Sequence, residues 1–172
     1  MRPPALATQQ GKKRQTARGF TLIELLIVVA IILIIAAIAI PNFMRSRMAA
    51  NEAGAVSSCR NIVTAQVVYS TTYSRGYSQL LSDLKPPPGG GMPNATNAGL
   101  LDDVLTRGTK HGYQFFYTPI DVDGDGQPEA FTIVANPVVM GSSGSRGFYT
   151  DQTGVVRQKN NGVAGPADPP IG

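Results

Sequence analysis

The sequence predicts an α+β fold: a long N-terminal α-helix whose second half packs on a small antiparallel sheet. Three observations predict it. Residues Leu25–Ile40 are apolar without a break. Asn42–Tyr73 contains no proline, and its apolar side chains recur every three or four positions. The C-terminal third alternates short aromatic and β-branched runs with Gly- and Asp-rich turns.

Composition narrows the function. The chain has 172 residues, of which only 15% are charged; Gly (19) and Pro (13) are frequent, so long loops are expected. One Cys excludes an internal disulfide framework. One Cys and one His also exclude zinc sites built from several thiolates and imidazoles. The net charge of +4 belongs to the N-terminal tail, where Arg2, Lys12, Lys13, Arg14 and Arg18 stand without an acid. The rest is nearly neutral, so no nucleic-acid-binding surface is expected on the head.

Phe20–Ile23 extend the apolar run, making it long enough to cross a bilayer as a helix, with only Glu24 interrupting. The cations before it place the N-terminus in the cytoplasm and the remainder outside. A plain membrane anchor fits this pattern. A secretory signal peptide cut after Ala37-Ile38-Ala39 also has the required small-x-small form, but its apolar region would be unusually long and would hold a carboxylate. Glu24 on its own reads as a side chain snorkelling to the interface.

The string Gly19-Phe20-Thr21-Leu22-Ile23-Glu24 follows a short basic leader and precedes an apolar run ending at Pro41. It resembles the type III signal of type IV pilins and of the related pseudopilins of type II secretion. The resemblance implies cleavage between Gly19 and Phe20 by a prepilin peptidase, which also N-methylates Phe20. It implies a precursor in the bacterial inner membrane, handed by an assembly platform there to an extracytoplasmic filament. That filament is either a surface pilus or a periplasmic pseudopilus, a homopolymer or a co-assembly with other pilins through the N-terminal helix. In a staggered bundle the new Phe20 amine would pair with Glu24 of its own or a neighbouring subunit. Cleavage also removes the cations that hold the helix end in the cytoplasm.

One helix is expected from Phe20 to about Tyr73, roughly 80 Å at 1.5 Å per residue. With its head it would form the lollipop shape that the resemblance implies. Met48, Ala55, Cys59, Ile62, Gln66, Tyr69 and Tyr73 share one face; Arg45, Arg47, Asn51, Glu52, Arg60 and Asn61 form the polar share. Pro41 lacks an N–H and is expected to kink the helix, with Gly54 a second weak point. The stretch between them is a candidate for melting inside a filament. Cys59 reads as a small buried hydrophobe; a Cys59–His111 catalytic pair lacks an orienting motif.

The expected boundaries are a leader over 1–19, a membrane or filament-core helix over 20–43 and its amphipathic second half over 44–74. A connecting loop with short helices follows over 75–112, then a sheet over 113–160 and a flexible tail over 161–172. Short helices are expected at Tyr77–Leu84 and Ala98–Arg107, the second with Leu100, Leu101, Val104 and Leu105 on one side and Gly108 as cap. Strands are expected at Gln114–Ile120, Ala130–Val138, Gly147–Thr150 and Val155–Gln158. The strings GYQFFYT and FYTDQTGVVR loosely resemble the C-terminal sheet of pilin-like proteins.

Asp121, Asp123 and Asp125, followed by Gly126, match the first half of an EF-hand-like calcium loop. Gln127 would add its carbonyl and Glu129 a ligand, often through water. Thr132 stands where a bidentate Glu belongs, so affinity for Ca2+ is expected to be weak, and the bland alternative is a solvated Asp-Gly hairpin loop. Some pseudopilins hold calcium in such a region. No other cofactor is indicated, and no enzyme signature is present. The missing disulfide and the acidic loop lean toward a pseudopilin, the head strings toward a pilin. A rival of another class is a monomeric membrane-anchored, calcium-binding extracytoplasmic module, which has no use for Gly19-Phe20 with Glu24.

Overall fold

A computed structural model describes residues 19–171, so the leader cations lie outside the described residues. Helix α1 spans Leu22–Tyr73 and remains helical through both Pro41 and Gly54. The chain divides into two units at Ile40/Pro41. In the first, the Leu, Ile and Val side chains of Leu22–Ile40 are 44–76% exposed all round the helix. Among the described residues nothing covers them, the condition of a helix made for lipid or for other helices.

The second unit holds the sheet. Its strands are β1 (Thr109–Lys110), β2 (Tyr113–Ile120), β3 (Ala130–Pro137), β4 (Arg146–Asp151) and β5 (Arg157–Asn160), in that spatial order. Every neighbouring pair is antiparallel. Period-two alternation sends Tyr113 and Phe115 of β2, Phe131, Ile133 and Ala135 of β3 and Phe148 of β4 inward. They form one core with Ala55, Cys59, Ile62, Ala65 and Tyr69 of α1. The small residues Ala55, Cys59 and Ala65 let the helix lie close to the sheet.

Two polar ties sit beside this core. Gln66, fully buried, donates to Ser78 Oγ (2.8 Å) and accepts from the Ser78 amide (3.0 Å). Glu52, expected on the polar face, is instead buried. It accepts from the Ser145 amide (2.8 Å), the Ser145 hydroxyl (2.9 Å) and Arg146 Nε (2.8 Å), tying α1 to the start of β4. An ion pair from 94 residues away leaves no mark on helical periodicity, so the pattern placed Glu52 in solvent.

Other expectations shift. The second short helix shrinks to α2, Asp103–Thr106. Leu84 O takes both the Leu100 and Leu101 amides, Gly99 stands at φ 70, and Asp102 caps α2 by accepting from the Leu105 amide. Leu101 and Leu105 are buried, but Val104 faces solvent. Gly108 does end the helix, at φ 79. At Tyr77–Leu84 only a 3-10 turn forms, over Leu81–Leu84. Strand β1 was unforeseen: His111 (φ 51) and Gly112 (φ 70) make a two-residue turn into β2. Strand β5 begins two residues later than expected, because the Asp151–Thr153 turn and Gly154 (φ 74) lengthen the loop.

The segment 161–171, expected to be a loose tail, lies along β5 instead. Gln158 donates to Pro169 O (3.0 Å), Ile171 to Val156 O (2.9 Å) and Arg157 to Asp168 O (3.0 Å). Ala164 is buried. The segment itself offers mainly backbone carbonyls and amides to its neighbours, which is why its Pro/Gly composition suggested fraying.

Gly54 is a point of close approach. A Cβ there would stand 2.7 Å from the His111 ring, so the β1–β2 turn rests on the bare helix backbone. Ala normally stabilises a helix by about 1 kcal/mol over Gly. Gly54→Ala should lose that gain or reverse it, and adding His111→Ala should restore it; urea unfolding of the detergent-solubilised protein measures both.

Burial raises the Glu52 carboxyl, but the Ser145 amide, Arg146 and the Ser145 hydroxyl outweigh it and hold it below the ordinary value. A depressed carboxylate stabilises the fold above its unfolded pKa of about 4.3, and that stability is lost as pH falls through the folded value. Glu52→Gln should cost about 2 kcal/mol at pH 7 and flatten the decline below about pH 4, as read from unfolding midpoints between pH 3 and 7.

Candidate functional site

Two places concentrate functional residues: the start of α1 and the loop between β2 and β3. At the first, Thr21 and Glu24 form a capping box. Glu24 Oε2 accepts from the Thr21 amide (2.8 Å) and hydroxyl (2.8 Å), while the Glu24 amide donates to Thr21 Oγ1 (3.3 Å). An acid in the first turn also suits the helix dipole. Thr21 was missed as a functional residue although T-x-x-E is a readable cap signal. In the uncut chain Phe20 carries an ordinary amide, and its side chain is fully exposed beside Gly19. Pro41 lies nineteen residues into the run that begins at Leu22, inside the helix.

The β2–β3 loop gathers Asp121, Asp123, Asp125 and Glu129. One oxygen from each lies within 4.8 Å of the others, all of them exposed. Local bonds shape the loop. Asp121 accepts from Gly124 N (2.7 Å) and Gly126 N (2.8 Å), Asp123 from Asp125 N (3.1 Å) and Asp125 from Gln127 N (2.7 Å). Glu129 Oε2 accepts from Val122 N (2.7 Å). Gly124 (φ 80) and Gly126 (φ 82) supply the turns that L side chains resist.

The loop's base is fixed. Pro128 is buried, its carbonyl accepts from the Tyr77 amide (2.7 Å), and Gln79 donates to Gly126 O (2.6 Å). Gln127 turns its amide toward Asp125. Thr132, at the twelfth loop position, belongs to β3 opposite Thr118 and so cannot close the loop. The four carboxylate residues are therefore brought together as the spacing predicts.

Cys59 and His111 are not a catalytic arrangement. The thiol is fully buried in the core, whereas His111 is an exposed turn residue on Gly54. Burial pushes the Cys59 thiol up to about 12.

Residues 14–40 match the family described as the prokaryotic N-terminal methylation motif, which includes Gly19, Phe20 and Glu24. The chain is 41% identical over 78 residues to the type IV wide pilus major component PilA4 of Thermus thermophilus. It is 45% identical over 67 residues to the type IV major pilin protein PilA of Myxococcus xanthus. The chain thus carries this N-terminal motif and is similar over part of its length to two type IV pilins. These matches take in 43% and 39% of the chain, and the chain spans 60% and 30% of the lengths of these two pilins. No solved structure matches it significantly.

Since the thiolate is the reactive form, Cys59 should resist maleimide at pH 8 while folded and react after denaturation. Mass spectrometry before and after guanidinium reads the difference; labelling of the native protein would place the thiol in contact with solvent.

Proposed function

We propose that this protein is a structural subunit of a type IV pilus, made as a membrane-anchored precursor and assembled through the first half of α1. The observation that carries this reading is the bare apolar surface of Leu22–Ile40, joined to the methylation motif over residues 14–40. Such a helix needs lipid before assembly and neighbouring helices after it. Prepilin peptidase would cut at Gly19-Phe20 and methylate Phe20, and an inner-membrane platform would draw the mature chain outward. The two similar proteins are pilus components, which favours a pilus over a secretion pseudopilus. A solitary anchored binding module leaves the motif without a purpose.

Cleavage would change the partners of Glu24. In the precursor Thr21 satisfies it; after cutting, the Phe20 amine adds a cation one turn away, or on the next subunit. A carboxylate inside an apolar bundle costs about 2.5–3.5 kcal/mol at its centre unless paired. Glu24→Val should therefore leave insertion and cleavage intact and reduce filament yield at least about tenfold, equivalent to about 1.4 kcal/mol of subunit affinity. Glu24→Asp should fall between the two. Intact mass of wild-type filaments should begin at methylated Phe20; a start at Ile40 would support the signal-peptide reading, and wild-type yield from Glu24→Val would remove the assembly contact.

A second reading concerns the gathered acids. The convergence of Asp121, Asp123, Asp125 and Glu129 supports a weak Ca2+ site, with the carbonyl of Gln127 as a further ligand. Binding to the folded head alone raises its melting temperature by mass action. The shift should appear at about 0.1–1 mM calcium, and Asp123→Ala and Asp125→Ala should each abolish it. A melting temperature that stays constant up to about 10 mM, ten times that range, would leave a solvated turn.

A further inference from the structure

Asn94-Ala95-Thr96 is the one N-x-S/T triplet in the sequence. With x other than proline, this is the acceptor string for N-linked glycans. The string alone is a weak signal, and the geometry supplies what it lacks.

Asn94 and Asn97 close a tight turn, exchanging both backbone bonds at 3.2 and 3.0 Å. Inside it, Asn94 Oδ1 accepts from the Thr96 amide (3.0 Å) and from the Thr96 hydroxyl (2.9 Å). Asn94 Nδ2 then has no hydrogen-bond partner among the described residues. Asn94 and Thr96 are both exposed. The back of the turn is held. The Tyr69 hydroxyl of α1 donates to Ala95 O (2.9 Å), and buried Ala98 donates to Asp83 O (2.8 Å). The triplet is thus displayed on the head surface, on a turn whose buried side is anchored.

We propose that Asn94 is the acceptor of an N-linked glycan, transferred from a polyprenyl-diphosphate-linked sugar outside the cytoplasm. Its placement outside rests on the pilin reading above. Nδ2 attacks the anomeric carbon, the C–N bond forms as the C–O bond to the diphosphate breaks, and polyprenyl diphosphate leaves. The Nδ2 proton passes to a base of the transferase, and no redox change occurs. The Thr96 hydroxyl polarises the carboxamide through Oδ1, which makes Nδ2–H more acidic. Ala95 is small and leaves the approach open.

The test uses protein isolated from its native cells. Lys85 is followed by Pro86, which blocks trypsin, so digestion yields the peptide Gly76–Arg107. Its mass should carry a sugar addition that fragmentation localises to Asn94. Asn94→Gln and Thr96→Val should each remove the addition, and Thr96→Ser should retain it. A bare Asn94 in the wild type, an addition that survives Thr96→Val, or a sugar on Thr96 itself would each overturn the proposal. The same digest reads the N-terminus separately. Methylated Phe20 beside a bare Asn94 defeats the glycan alone, whereas a glycan on Asn94 beside an uncut Gly19–Phe20 bond defeats the prepilin reading alone.

Discussion

One helix must satisfy two surroundings, and the rest of the molecule follows from that requirement. Beyond Glu24 and up to Ile40, α1 is apolar on every side and offers no face that prefers water. From Asn51 onward it buries a single stripe, Ala55–Cys59–Ile62–Ala65–Tyr69, beneath the sheet. The sheet's inward residues are the complement of that stripe. The meander puts β3 at the centre, where Phe131, Ile133 and Ala135 are buried. Removing the stripe would leave a small sheet with one bare apolar face, which is not stable alone.

Polar contacts then fix where the sheet sits along the stripe. Glu52 meets Ser145 and Arg146 at one end, and Gln66 meets Ser78 at the other. Both side chains are buried, so a slip of the helix would strand an unpaired charge and an unpaired amide. Apolar packing tolerates small shifts, and these two contacts do not. The turn of His111 and Gly112 adds a third point, resting where Gly54 has no side chain.

Much of this was legible in the residues. The apolar run, the α1 stripe and the β2–β3 pair all rest on local periodicity, which a single chain displays. Gln66 was placed on the packing face by spacing alone, and its bond with Ser78 satisfies its amide there. Contacts between distant segments left no local trace. Glu52 looked like a solvent residue because its partner lies in β4. The tail looked loose because its bonds to β5 are made by main-chain groups that every residue has. Strand β1 escaped notice because His-Gly is a poor hairpin signal compared with Asn-Gly. At the candidate sites the acids of the β2–β3 loop were readable from spacing alone, whereas the cap from Thr21 to Glu24 was hidden by attention to the charge.

The docked C-terminal segment also changes what the sheet presents to other molecules. An open strand edge invites other chains to pair with it through their backbones. Here the edge beyond β5 is occupied by residues 168–171, and two of these are Pro169 and Pro170, which have no amide hydrogen to offer a further strand. At the other edge, β1 is only two residues long. The border beyond β5 is thus a poor template for a further strand, and at the border beyond β1 the outer part of β2 carries Pro119, which also lacks an amide hydrogen.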